Sequence, residues 1–200
     1  AFGMSVSLDG QWLAVGASGN GTASDASGFK GGTVFLYSYT DTVFSDGTLQ
    51  AVIGDGYTGG NNVNFATSAK DFLGSGVSLH GGRLAVGERG DNEVHLFTFN
   101  DNVDSFTGLT LRASIGATVT GTNDINLGTT YGSGAGKNNT GASYATGAFA
   151  AGGSSGFGYG VSLSEDADGN ARLAVGSSGS QEATGGTCNS NCGAVTLYTF

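Results

Sequence analysis

The sequence predicts an all-β chain built from three related units, and three observations predict it. A two-part phrase occurs three times: Phe2-Gly-Met-Ser-Val-Ser-Leu8 with Leu13-Ala-Val-Gly16, Leu73-Gly-Ser-Gly-Val-Ser-Leu79 with Leu84-Ala-Val-Gly87, and Phe157-Gly-Tyr-Gly-Val-Ser-Leu163 with Leu173-Ala-Val-Gly176. A recurring unit of this kind cannot bury its apolar faces alone, so neighbouring copies must stack. Glycine supplies 39 of 200 residues and proline none, while 38% of the chain is hydrophobic with 12 Phe and 7 Tyr. Glycine without proline or a three-residue period excludes collagen, and the aromatic content argues against a disordered tail. The apolar runs are short, rich in β-branched and aromatic residues, and mostly bounded by Gly or Asn, as strands are.

Each unit reads as a series of strands. The two halves of the phrase form the first two, joined by Asp9-Gly10, His80-Gly81-Gly82 or the longer Ser164–Asn170 loop, where Asp-Gly and Gly-Gly supply the positive φ of tight hairpins. The third strand is Thr33–Tyr39, Glu93–Phe99 or Ala194–Phe200. These runs are apolar on both faces, so stacking on both sides is expected. A fourth run follows in two units, Leu49–Gly54 and Leu111–Gly116, each trailed by a polar stretch, Thr58–Asn64 and Thr120–Asn126. Four consecutive strands make the blade of a β-propeller. The predicted units span residues 1–71, 72–126 and 157–200, the last without its fourth strand, and residues 127–156 are a Gly-rich excursion or linker. Three units are fewer than the about four to eight blades of a closed propeller, so the expected architecture is propeller-like and incomplete by itself.

Phe2-Gly3, Phe157-Gly158 and the Leu-Ala-Val-Gly-Ala of residues 13–17 resemble the FG-GAP repeats of integrin α-subunit propellers and bacterial extracellular proteins. The resemblance covers all three units in order and spacing. Leu73 replaces Phe in the middle unit, Pro is missing throughout, and Ala17 becomes Glu88 and Ser177. The resemblance implies a secreted or cell-surface β-propeller used in adhesion or assembly.

With 7 basic against 16 acidic residues the formal net charge is −9. Nucleic acid is therefore excluded as an expected partner, because a phosphate backbone requires a basic stripe. The carboxylate excess suits solubility and cation binding. Membrane spans are not expected, since no apolar run approaches about 18 residues. The chain starts at Ala1, so the expectation is that any signal peptide has been removed or lies outside this segment. Cys188 and Cys192 read as a disulfide pinning a short loop, because zinc would require two further ligands at matching spacing. A bridge there points to an oxidising compartment.

Candidate sites are few. Asp166 and Asp168 in the third unit approximate the calcium loop that many FG-GAP relatives carry between the first two strands, but Ser164 and Arg172 stand at its first and last ligand positions. A polar Asp-Gly turn is the other reading. Asn20 and Asn138 head glycosylation sequons in predicted loops, which with so many Asn and Thr there also read as chance occurrences. Arg89-Gly90-Asp91 matches a tripeptide that integrins recognise, but such tripeptides recur by chance and it reads as a solvated hairpin tip. His95, among Val94, Leu96 and Phe97, reads as a packed or hydrogen-bonded core residue, and His80 as a turn residue. Gly152-Gly-Ser154-Ser-Gly156 lacks the strand and helix of a nucleophile elbow. Trp12, Phe35, Tyr37, Tyr39, Phe97, Phe99, Tyr198 and Phe200 include stripes at strand spacing that read as packing between units, with a carbohydrate platform as the sharper reading. No catalytic residue and no cofactor is assigned. The expected function is a non-enzymatic extracellular structural or adhesion protein that self-associates into a filament or surface layer, through stacking of β-blades or addition of a strand between subunits. The alternative is a carbohydrate- or protein-binding fragment of a larger surface receptor.

Overall fold

The computed structural model describes residues 1–22, 26, 28, 30–101, 105–116, 119–127, 156–178 and 194–200. Cys188, Cys192 and Asn138 lie outside them, as do residues 128–155 of the Gly-rich excursion. The described chain is all-β and forms three sheets, none closed. Among the described residues no helix is long and apolar enough to cross a membrane.

The first sheet contains β1 (Ser5–Asp9), β2 (Trp12–Gly16), β3 (Thr33–Ser38), β4 (Thr48–Gly54) and β5 (Val63–Asn64), in that order. The second contains β6 (Leu73–His80), β7 (Arg83–Glu88), β8 (Glu93–Thr98), β9 (Thr110–Gly116) and β10 (Ile125–Asn126), again in sequence order. The third contains β11 (Phe157–Glu165), β12 (Ala171–Ser177) and β13 (Ala194–Thr199). The first four strands of each complete unit form an antiparallel meander in the expected places. The four-strand expectation falls short in one respect: the polar stretches after β4 and β9 each contribute a two-residue parallel strand, so the first two sheets have five strands. Asn62 and Asp124 bring this about, their carboxamide and carboxylate oxygens accepting the N–H groups of Val52 and Ser114 at 2.8 and 2.7 Å and folding each stretch back onto its sheet.

The glycines of the repeated phrase have two distinct jobs. In all three units the second residue of the phrase has a left-handed backbone, φ +81° at Gly3, +82° at Gly74 and +81° at Gly158, a region that disfavours residues with a Cβ. At Gly74 and Gly158 this sits inside a bulge, where the ladder shifts register between Leu73 and Gly76 and between Phe157 and Gly160. The glycine closing Leu-Ala-Val-Gly works between units. A Cβ on Gly16 would stand 2.0 Å from the Gly74 carbonyl oxygen, and one on Gly87 1.8 Å from that of Gly158. The end of one unit's second strand is thus in backbone contact with the start of the next unit's first strand.

Strand alternation then gives each sheet two working faces. β6 lies against β1 and β2, and β11 against β6 and β7. Between the first two sheets Val34, Leu36, Ile53, Leu73, Val77, Leu79, Leu84, Val86 and Phe97 form one core, closed at its edge by Trp12 packing against Phe99 and Phe106 at centroid distances of 5.3 and 4.7 Å. Between the second and third, Ala85, Val94, Ile115, Phe157, Leu173, Val175 and Tyr198 form another. Trp12, Phe97 and Tyr198 are therefore packing residues between sheets rather than a surface platform.

Candidate functional site

Two features stand apart from the repeating scaffold: the outer faces of the first and third sheets, and a buried polar cluster in the second sheet.

The two inner seams are copies of one another. Leu79 N–H donates to Ser7 Oγ at 2.9 Å, and Leu163 N–H donates to Ser78 Oγ at 2.8 Å. These are equivalent residues of successive units, the serine of the phrase accepting from the next unit's leucine. Each pair satisfies an N–H on a strand edge that the ladder leaves unpaired. Ser5 Oγ adds a bond to the Gly74 carbonyl at 2.9 Å, and Ser75 Oγ lies 3.1 Å from that of Gly158.

Each outer face carries one half of the same seam. Phe2 is 63% exposed where its counterparts Leu73 and Phe157 are 0% and 1%. Val6 is 63% exposed where Val77 is 6%, and Leu8 is exposed where Leu79 is buried. On the third sheet Val195 is 64% exposed where Val34 and Val94 are both 0%, and Leu197 is exposed where Leu36 is buried. Ser162, the counterpart of Ser7 and Ser78, is exposed. A Cβ on Gly3 would meet nothing within 4 Å, and one on Gly176 only its own unit's Gly160 at 3.5 Å.

The polar cluster lies on the face of the second sheet turned toward the first. Glu88 ends β7 and pairs across the hairpin with Glu93 on β8; His95, two residues on, shares Glu93's face and pairs with Ser114 on β9. His95 and Glu88 are 2% and 3% exposed. His95 Nε2 stands 2.7 Å from Glu88 Oε2 and 4.0 Å from Glu93 Oε2, while Nδ1 is 2.9 Å from Ser114 Oγ. The Phe65 ring, arriving from the first unit, covers the imidazole at 4.6 Å. Glu88 Oε1 is buried without a hydrogen-bond partner. Burial pushes the Glu88 carboxyl up, against the hydrogen bond and charge of His95. Burial likewise raises nearby Asp71, with Asp91 and Glu93 adding to it. Among the described residues, Glu88, Glu93 and His95 form the His/Cys/Asp/Glu group whose ligand atoms, one from each, lie within 4.8 Å of one another.

The sequence-predicted site residues are placed as follows. Asp166 caps its own turn: Oδ1 accepts the Asp168 and Asn170 N–H groups at 3.0 and 2.9 Å, and Oδ2 takes Arg172 Nη2 at 3.2 Å. The Asn170 N–H, first among these, holds the Asp166 carboxyl below its ordinary value of 3.8. Asp168 is exposed beside it, and the polar-turn reading accounts for this geometry. Asn20 is exposed in the loop after β2. Arg89 does not present itself outward as an adhesion tripeptide requires, because its guanidinium lies over the Phe72 ring at 4.3 Å and faces Tyr159 at 5.5 Å; Gly90 and Asp91 are exposed. His80 faces Glu165 at 3.9 Å, and Arg83 reaches the same carboxylate at 2.7 Å. These exposed pairs join the second and third sheets at a value of about 0–1 kcal/mol each.

The sequence reading took His95 as a packed or hydrogen-bonded residue, and so it is, but it missed Glu88 and Glu93. The signal was present in the strand period, since Glu93-Val94-His95 puts two polar side chains on one face of a strand otherwise apolar on both. No protein-family model matches the chain, and no characterised protein matches it.

Proposed function

We propose that the chain is an extracellular structural or adhesion protein that associates with further copies by stacking its sheets, each unit serving as one blade of a propeller-like, FG-GAP-like array. The observation that carries this reading is the pair of half-seams. Phe2, Val6 and Leu8 stand uncovered on one outer face, and Ser162, Val195 and Leu197 on the other, at positions that are covered wherever two units meet inside the chain. The faces are different halves of one contact, so the association is head-to-tail, and such contacts close into rings or extend into filaments. Stacking is favoured over strand addition, because the inner seams join through side-chain hydroxyls and core packing, with backbone pairing limited to an isolated bridge between Gly32 and Leu73 rather than an extended ladder. Extracellular placement is supported by the composition, the sequon at Asn20 and the closely spaced Cys188 and Cys192. No catalytic constellation enters this reading.

Between copies the contacts must also offset the rigid-body freedom lost on association, about 4–15 kcal/mol. Assembly is therefore strongly concentration-dependent. In sedimentation velocity, the chain is expected to shift to larger species as its concentration rises, with stacked particles in electron micrographs. The pair Val6→Asp and Leu8→Asp is expected to leave the melting temperature within a few degrees while abolishing the shift. A wild-type monomer at every concentration up to the micromolar-to-millimolar Kd range of weak complexes overturns the reading.

A further inference from the structure

We propose that Glu88, Glu93 and His95 form a binding site for one divalent transition-metal ion of the zinc type, built into the second unit and absent from the first.

Comparison of equivalent positions carries the argument. Where the second unit has Glu88, Glu93, His95 and Ser114, the first has Ala17, Thr33, Phe35 and Val52 on strands of the same order and register. The scaffold folds around a hydroxyl and apolar groups there, so it does not require two carboxylates and an imidazole. Burying them is costly unless something compensates their charge. His95 compensates in part, through its 2.7 Å contact with Glu88 Oε2. It leaves Glu88 Oε1 buried and unpartnered, so the carboxylate still lacks compensation that a cation held by this group would supply.

The donor set and geometry fit a particular class of ion. Metal–ligand distances near 2.0–2.2 Å place tetrahedral ligand atoms roughly 3.3 Å apart. The three ligand atoms lie within 4.8 Å of one another and the two nitrogen–oxygen separations, 2.7 and 4.0 Å, straddle that value, so side-chain rotation without backbone movement is what completing the set would ask. With the proton on Nδ1, His95 donates to Ser114 Oγ and turns the Nε2 lone pair toward the carboxylates. This is the outer hydrogen bond that orients metal-bound imidazoles. One imidazole and two carboxylates suit zinc and its first-row neighbours, and the nitrogen ligand disfavours calcium and magnesium. Two ionised carboxylates with neutral imidazole carry −2, matching a divalent ion. Asp71 and Asp91 add to the negative potential, while the Arg89 guanidinium, next to Glu88 in sequence, is turned onto Phe72. The site is distinct from the Asp166 turn, and its failure would leave the assembly reading standing.

The test uses the chain with Cys188→Ser and Cys192→Ser, so that no thiolate competes. Calorimetric titration with zinc chloride is expected to show one equivalent bound, with a rise in melting temperature. Cobalt substitution is expected to give the visible absorption of a four- or five-coordinate ion, and calcium chloride no heat. Grafting the first unit's residues, as Glu88→Ala, Glu93→Thr, His95→Phe and Ser114→Val, is expected to keep the melting transition and abolish zinc binding. Ser114→Ala alone should weaken binding about 10–100-fold while every ligand remains. Absence of zinc binding to the parent chain, or equal binding by the folded graft, overturns the proposal and leaves the cluster a hydrogen-bonded proton-sharing group.

Discussion

Gly87→Ala is expected to be among the most damaging single methyl additions the chain can suffer, costing at least about 3 kcal/mol, the upper end of overpacking penalties. The added Cβ would stand 1.8 Å from the Gly158 carbonyl oxygen and 2.8 Å from its carbon. Both are backbone atoms, so no rotamer change can relieve the clash. Gly158 cannot retreat easily, because its left-handed φ of +81° is set by the bulge and its carbonyl lies beside the Ser75 hydroxyl. For a chain of this size such a loss lowers the melting temperature by roughly 6–12 °C, and the third sheet should lose hydrogen-exchange protection first. Gly176→Ala is the internal control. The same place in the phrase faces only Gly160 at 3.5 Å, an ordinary contact, and the change should stay within about 0.5 kcal/mol. Equal effects at Gly87 and Gly176 in thermal and urea denaturation would refute the interlocking of successive units.

Phe157→Ala should be comparably severe, at about 3–5 kcal/mol for deleting a buried phenylalanine side chain. Phe157 is 1% exposed within the core shared by the second and third sheets, and its N–H is held by Asn92 Oδ1 at 3.3 Å. Phe2→Ala makes the same chemical change at the same place in the phrase, where the ring is 63% exposed and packs beside Phe35 at 5.5 Å. It should cost under about 1 kcal/mol in the monomer while weakening association. Denaturant unfolding of both variants, with sedimentation of the second, separates a residue that holds the fold from one that joins copies.

Much of the fold was legible because strand signals are local. The alternation in Val-Ser-Leu, the Gly81-Gly82 turn with φ of +47° and +68°, and the doubly apolar third strands each declare themselves within a few residues. The short fifth strands were hidden. They depend on Asn62 and Asp124 accepting N–H groups ten residues back, and Val63-Asn64 and Ile125-Asn126 are too brief to show a period. The role of the second glycine of the phrase was hidden as well, since a contact between Gly16 and Gly74 has no trace in either local segment. The polar cluster was half legible. His95 drew notice as a lone histidine on an apolar strand, but reading it in isolation left out Glu88, which reaches it only through the pairing of β7 with β8.

The central claim, that each outer face is one half of the seam found between units, is tested most directly by cross-linking. The inner seams set Ser7 against Leu79 and Ser78 against Leu163, so a continued stack sets Ser162 of one copy against Leu8 of the next. In a background carrying Cys188→Ser and Cys192→Ser, Ser162→Cys chains mixed with Leu8→Cys chains should form an intermolecular disulfide on mild oxidation. Val43→Cys, exposed in the turn between β3 and β4 rather than on a strand face, should not pair with Ser162→Cys. Selective pairing of Ser162→Cys with Leu8→Cys is the predicted result. No cross-link, or equal cross-linking to the Val43→Cys control, would contradict the claim.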